Sequence, residues 1–328
     1  MMNELVSVII PTYGRSDCLE RAIKSVLMQT YSNIEVIVVD DNGLRTEQQK
    51  KTELILHSYR NQTNIRYIPH EINKGGCAAR NTGVKYSKGK YVAFLDDDDW
   101  YLPKYVQNMV KVMREEDTRS VYMPYAYCDI NNKVICPKKE TINHRLSGRI
   151  FNQVLAGKCS ISIFFIAERT LMKEIGYFDE ELKGFQDADV WFKITKKERV
   201  SVMLEPLAVY TRDDRDRITK NPQKRYRDFV VFCNKWLPLL TYDEKKIFDN
   251  FCKYHEYHIK REIFEKKRCA VVQEKYTKEE YEFLINNAPR KAVKLRVWMI
   301  RWGGQYGLLI YEWGRRILKK EKYGYLKR

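Results

Sequence analysis

The chain has 328 residues, 44% of them hydrophobic, and a formal net charge of +17; this is enough apolar material for one large domain with an appendage or for two domains, and it excludes a disordered or low-complexity chain. No apolar run approaches the ~18 residues needed to span a bilayer, and MMNEL leads straight into a strand without a signal peptide. Cys18, Cys77, Cys128, Cys136, Cys159, Cys233, Cys252 and Cys269 form no CxxC pair or tight disulfide spacing, so the expectation is a cytoplasmic protein with reduced thiols.

LVSVII (5–10) reads as a strand ended by Pro11. SDCLERAIKSVLMQT (16–30) opens on a Ser or Asp cap and carries Leu19, Ala22, Ile23, Val26 and Leu27 at helical spacing. NIEVIVVDD (33–41) is a second buried strand, TEQQKKTELILHSYR (46–60) a polar-faced helix and NIRYIPH a short strand. GGCAARNTGVKYS reads as a helix entered through two glycines, and KYVAFL as the next strand. Such alternation predicts a parallel, doubly wound α/β sheet. Its strand ends form one rim, gathering Pro11 to Arg15, Asp40 to Gly43, Asn73 to Gly76 and an aspartate run.

The second part is less regular. LPKYVQNMVKVMREED (102–117) predicts a helix, SVYMPYAYCDI and KVICP antiparallel strands, and SISIFFIAE another strand. A helix around ERTLMKEIG follows, then FDEELKGFQDADVWFKITKK and the strand SVMLEPLAVYT. After about Lys224 the pattern turns to long charged helices, where His255 and His258 read as a solvated pair rather than a zinc site. The expected organisation is a domain over 1–225, divided at about residue 100, and a basic helical region over 226–328.

Four aspartates, Asp96 to Asp99, follow the strand YVAFL directly. Adjacent carboxylates repel, and a site that keeps them ionised needs a cation or a bank of donors. Ligands in open α/β sheets bind beyond the carboxyl ends of strands, and hard divalent cations prefer carboxylate oxygen. A metal-dependent site is therefore expected here. Tyr13 in PTYGR offers a face for a base, Arg15 a partner for phosphate, and Arg80 beside two glycines at a helix start suits an anion. Neither GxxxxGK[ST] nor GxGxxG is present, which weakens the P-loop ATPase and dinucleotide oxidoreductase classes.

In order and spacing, four segments resemble the inverting family 2 glycosyltransferases of GT-A fold, of the bacterial surface-polysaccharide type. They are VSVIIPTYGRSDCLERAIKSVLMQTYSNIEVIVVDDNG, NKGGCAARNTG, KYVAFLDDDDWYLP and GYFDEELKGFQDADVWFKI, within roughly residues 5 to 220. The resemblance implies a GT-A (Rossmann-like) mixed, mostly parallel sheet flanked by helices, with an α-helical C-terminal extension. It implies a nucleotide-sugar half over about 1–100 and an acceptor half over about 101–225. Asp96 and Asp98 match the DxD-type motif that binds Mn²⁺ or Mg²⁺ on the sugar-nucleotide diphosphate, with Asp98 the direct ligand and Asp97 and Asp99 helping through water. Pro11, Thr12, Tyr13, Arg15, Asp41, Arg80 and Asp97 then belong to the donor nucleotide site, Asp41 reading the uracil edge and Tyr13 packing on it. Arg80 fits either a diphosphate contact or a structural role. The general base falls in FQDADVW at Asp187, with Gln186 where the family usually has Glu and Asp189 as second candidate. Arg212, Arg215 and Arg217 match a segment that closes over the donor in relatives. A UDP-sugar donor and inversion at the anomeric carbon are the expected chemistry.

From Arg225 onward the net charge is +12, and from Arg290 to Arg328 twelve basic residues stand against two acidic ones, interleaved with Trp298, Trp302, Tyr311 and Trp313. This two-helix amphipathic pattern suits an anionic membrane interface; packing onto the core or joining subunits of a homo-oligomer are the alternatives. With the family it points to a lipid-linked saccharide acceptor at the inner face of the cell membrane. Two other classes stay open: a nucleic-acid-binding module using the basic tail, against which stands the absence of any recognition motif, and a nucleotidyltransferase, against which stands PTYGR in place of a glycine-rich loop.

Overall fold

The computed structural model describes residues 3–128, 134–135, 146–159, 162–211 and 221–270, the last helix with side chains through 263. Arg212, Arg215, Arg217 and the amphipathic tail lie outside the described residues. The chain divides into two compact units, Met1–Asp216 and Arg217–Arg328.

The first unit is built on β1 (Val6–Thr12), β2 (Ile34–Asp40), β3 (Ile65–Pro69), β4 (Tyr91–Phe94), β6 (Ser120–Tyr122), β9 (Phe165–Glu168) and β10 (Ser201–Val202). These form one sheet in the order β10-β6-β9-β4-β1-β2-β3. Val6, Val8, Ile9 and Ile10 of β1 have no solvent exposure, as expected of a strand covered on both faces. Each such side chain contributes about 1.5–3 kcal/mol of burial. The helices α1 (Ser16–Leu27), α2 (Glu47–His57) and α3 (Gly76–Tyr86) fill the crossovers. The third packs so closely on β1 that a Cβ at Gly83 would lie 2.3 Å from Ile9.

The sheet is mixed and mostly parallel. β9 runs antiparallel to both β4 and β6, whereas β1 is parallel to β2 and β4, and β3 to β2. Two predicted strands prove to be divided. SVMLEPLAVYT yields β10 in the main sheet and β11 (Ala208–Thr211) in a second one, parted around Pro206, which has no N–H for a ladder. SVYMPYAYCDI divides likewise at Pro124 into β6 and β7 (Ala126–Cys128). The second sheet has the order β5-β11-β7-β8, with β5 (Trp100–Tyr101) directly after the aspartates and β8 (Val134–Ile135) antiparallel to β7 as predicted. The short β5 and the helix α5 (Phe151–Leu155) carry too few periodic residues to be read from sequence. The helices α4 (Tyr105–Glu115), α6 (Arg169–Glu174) and α7 (Gln186–Lys197) complete this unit.

The second unit is described as a helical hairpin. α8 (Pro222–Trp236) starts on Asn221, whose side chain accepts from the Lys224 N–H, and has proline in its first turn. α9 (Tyr242–Ala270) runs antiparallel to it, pairing Phe232 with Phe248 and Phe251, and Arg225 with Glu262. His255 packs on Phe251 with ring centroids 4.2 Å apart, and burial holds its pKa down at about 4. It belongs to the hairpin core, which corrects the solvated reading. Among the described residues no helix is long and apolar enough to cross a membrane, and no disulfide occurs.

Candidate active site

Strand register decides which residues meet at the rim. Ile9 is level with Phe94, so three residues on Thr12 is level with Asp97; Asp40 is level with Pro69, so Asp41 is level with His70. Both pairs are bonded. Thr12 Oγ1 donates to Asp97 Oδ2 at 2.8 Å, and His70 Nδ1 lies 2.7 Å from Asp41 Oδ1. The Asp41 carboxylate also accepts from the N–H groups of Lys74 (2.8 Å) and Gly75 (2.7 Å). Three donors leave it one free lone-pair direction, so its first task is to fix the loop into α3.

The four aspartates do not act alike. Asp97 points inward with no exposure, held by Thr12, by the Tyr13 N–H and by Arg15 Nη2 at 2.7 Å. Burial pushes its carboxyl up to about 7, against the pull of Arg15. Expected among the donor-contacting residues, this carboxylate braces the rim from below through Thr12 and Arg15. The other three face one another, with a carboxylate oxygen of each of Asp96, Asp98 and Asp99 within 4.8 Å of the others. Asp99, expected only as a neighbour, thus joins Asp96 and Asp98. An oxygen-only set of three carboxylates fits a hard divalent cation such as Mn²⁺ or Mg²⁺. Arg15 Nη1 pairs with Asp98 at 2.6 Å and Arg80 Nη2 with Asp96 at 2.5 Å, offsetting part of the charge.

Arg80 links this group to the start of α7. It is buried, lies over the Phe178 ring with 5.6 Å to the centroid, and donates through Nη1 to Gln186 Oε1 at 3.3 Å. Burial opposes its charge, but Asp96 and Asp187 outweigh that and hold its pKa above the ordinary range. Asp187, half-buried, is the rim carboxylate of this helix. Burial pushes its carboxyl up to about 6, opposed by Arg80 and aided by repulsion from Asp96. Asp189 differs: it is fully buried and paired with Lys193 at 2.8 Å, one helical turn on. Phe185 precedes α7 with φ 58°, a left-handed backbone that costs a non-glycine residue energy and turns the helix start toward the rim.

Tyr13 is 59% exposed at the rim. Its loop is pinned on both sides, the Tyr13 N–H reaching Asp97 and the Gly14 N–H donating to Asn42 Oδ1 at 2.7 Å. Pro11 does not end β1 as expected: it lies within the strand in register with Val39, and Thr12 follows opposite Asp40. Two residues at the site, Arg21 and Thr211, carry no sequence signal. Arg21 stacks 4.3 Å over Trp100 and donates to the Asp98 carbonyl, while the Thr211 N–H donates to Asp99 Oδ1 at 2.8 Å and its hydroxyl to the Asp98 carbonyl. Asn42 joins Gly14 to the buried Asp40, accepting from the first and donating to the second at 2.7 Å.

A mostly parallel sheet with an acidic rim after β4 and a carboxylate-bearing helix facing it is the architecture of a GT-A glycosyltransferase. Residues 7–175 match the model of Glycosyl transferase family 2, and the chain belongs to that family. An uncharacterized glycosyltransferase of Rickettsia typhi is 32% identical over 248 residues, 73% of this chain and 74% of that protein. Some rickettsial relatives are longer, the match spanning 27% of one from Rickettsia bellii. The UDP-Glc:alpha-D-GlcNAc-diphosphoundecaprenol beta-1,3-glucosyltransferase WfgD of Escherichia coli is 28% identical over 207 residues, 62% of this chain and 74% of that protein. Staphylococcus aureus TarS 1–349, solved in complex with UDP-GlcNAc, shares the fold with a TM-score of 0.63 at 20% identity, covering 98% of this chain and 92% of that one.

Proposed function

We propose that the chain transfers a sugar from a UDP-sugar to an acceptor hydroxyl, with inversion at the anomeric carbon and with Mn²⁺ or Mg²⁺ held by Asp96, Asp98 and Asp99. The observation that carries this reading is the group of three carboxylates within 4.8 Å, joined through Arg80 to the half-buried Asp187. When bound, the ion offsets the charge that develops on the leaving nucleoside diphosphate.

The protein's own groups do the rest. Tyr13 stacks on the uracil, over a loop held by Asp97 and Asn42, and Asp41 keeps the Lys74–Gly75 turn in shape beside it. Pro11 and Thr12 form the floor of this pocket, and Arg15 and Arg80 hold the carboxylates in place. Asp187, ionised at neutral pH with a pKa of about 6, takes the proton from the acceptor hydroxyl as that oxygen attacks. A single displacement needs no covalent nucleophile and inverts the centre. Burial of Asp189 and its pairing with Lys193 favour Asp187 for this task.

The name of WfgD, with a UDP-Glc donor and a diphosphoundecaprenol acceptor, supports a UDP-sugar and a lipid-linked acceptor in cell-surface polysaccharide synthesis. The basic, tryptophan-bearing tail supports a cytoplasmic enzyme held at the inner membrane face, without nucleic acid as partner. Incubation with UDP-sugars and MnCl₂ is the test: slow donor hydrolysis releasing UDP is expected, and pyrophosphate release would replace the reading with nucleotidyl transfer. Flotation with anionic liposomes checks the tail, and a chain that stays in solution at low salt removes the membrane part.

A further inference from the structure

We propose that Tyr125 and Tyr210 form an aromatic platform for a pyranose ring of the acceptor saccharide; this rests on the glycosyl-transfer reading. The second sheet has two unlike faces. Ala126, Cys128 and Val209 point one way into a small apolar cluster with Trp100 and Leu102. By strand alternation Tyr125, Tyr127 and Tyr210 point the other way, and all three are half-buried, Tyr127 and Tyr210 being direct cross-strand neighbours. The rings continue a row that starts in the core. Tyr105 stacks on Tyr101 with centroids 3.7 Å apart, Tyr101 meets Phe164 at 6.4 Å, Phe164 meets Tyr125 at 5.6 Å, and Tyr125 meets Tyr210 at 5.7 Å. The inner rings are fully buried and fix the outer two, so little side-chain entropy is lost when a ligand settles on them.

The platform adjoins the candidate site on two sides. Tyr210 precedes Thr211, which binds Asp99 and the Asp98 carbonyl. Phe164 follows closely on Ser162, whose carbonyl accepts from Trp191 Nε1 at 3.0 Å, and Trp191 stands one helical turn from Asp187 on the same side of α7. The acceptor ring sits on Tyr125 and Tyr210, one residue along β11 from Thr211 and next to the Phe164–Trp191 packing that leads to the start of α7. The nucleobase side, at Tyr13 just after β1, is separated from β6 by β4 and β9. A pyranose suits the platform because its axial C–H groups make an apolar face that gains by leaving water against an aromatic ring, while its hydroxyl edge stays free for Asp187.

Saturation-transfer NMR on the full chain, with UDP and Mn²⁺ present, tests this using methyl glycosides of glucose, galactose and N-acetylglucosamine as probes. Calorimetric UDP binding is measured in the same samples. The expected result is transfer to the ring C–H protons of at least one glycoside, with affinity reduced about three- to tenfold in Tyr125→Ala and Tyr210→Ala, as loss of an aromatic contact predicts. Tyr125→Phe and Tyr210→Phe retain it, and UDP affinity is unchanged in all four variants. Transfer that is absent for every glycoside, or indifferent to both alanine variants while UDP binds normally, overturns the platform. Failure of UDP to bind the wild-type chain removes the parent reading instead.

Discussion

The two sides of the rim are built from different materials. On the β1–β4 side, recognition groups are charged or polar and nearly every one is already bonded. Asp41 accepts from His70, Lys74 and Gly75, Asp97 is held by Thr12, Tyr13 and Arg15, and Asn42 ties Gly14 to Asp40. On the β6–β9–α7 side Tyr125, Phe164 and Tyr210 pack together, and the half-buried Asp187 has a raised pKa. A doubly charged diphosphate needs donors and cations fixed beforehand, because reorganising them during binding would consume the interaction. A neutral hydroxyl needs a carboxylate poised near neutrality and a dry surface to lie on.

The largest expected effect falls on the charged side. Asp98→Ala should lower transfer by about a thousandfold or more, since metal stabilisation of a leaving group is worth several kcal/mol. An assay in saturating MnCl₂ checks this, and near-normal turnover would move the metal group elsewhere. Asp187→Asn should cost about 10²- to 10⁴-fold in kcat while leaving UDP affinity intact. Stability should move the other way. The folded pKa of Asp187, about 6, exceeds the unfolded value of about 3.9, so the wild-type chain loses stability as pH rises between them and the Asn variant does not. The Tm advantage of the variant should therefore grow from pH 4 to 6 and then level off.

Smaller effects separate the two sides further. Activity should fall below pH 6 as Asp187 is protonated. Gln186→Glu adds a like charge beside it and should raise the midpoint by about one unit, a change that calorimetric UDP binding at neutral pH should not register. Asn42→Ala removes one hydrogen bond from the Tyr13 loop and should raise the donor KM about two- to tenfold with kcat unchanged. An equal drop in kcat would mean that Asn42 acts on the chemistry rather than on the nucleotide pocket.

β1, β2 and β4 were legible because each is a nearly continuous apolar run buried on both faces, whereas the half-buried edge strand β3 was legible only as a short run between helices, and the rim followed from their order. The pairing of Asp189 with Lys193 had a local sign, since Lys193 stands four residues on in the same helix. What stayed hidden depends on distance or direction. Nothing near Thr211 announces a bond to Asp99, 112 residues earlier. Four consecutive aspartates give no clue that Asp97 turns inward while Asp99 turns toward Asp96 and Asp98; the register of β1 against β4 decides that, by setting Thr12 beside Asp97. Pro206 was visible, but not that the strand on either side of it would join different sheets.

Manganese titration followed by electron paramagnetic resonance, with and without UDP, bears most directly on the carboxylate group. One Mn²⁺ per chain should bind, more tightly when UDP is present, and Asp98→Ala should abolish that binding. Mn²⁺ retained with the same affinity in both Asp96→Ala and Asp98→Ala, or no binding by the wild-type chain with UDP present, would contradict the account.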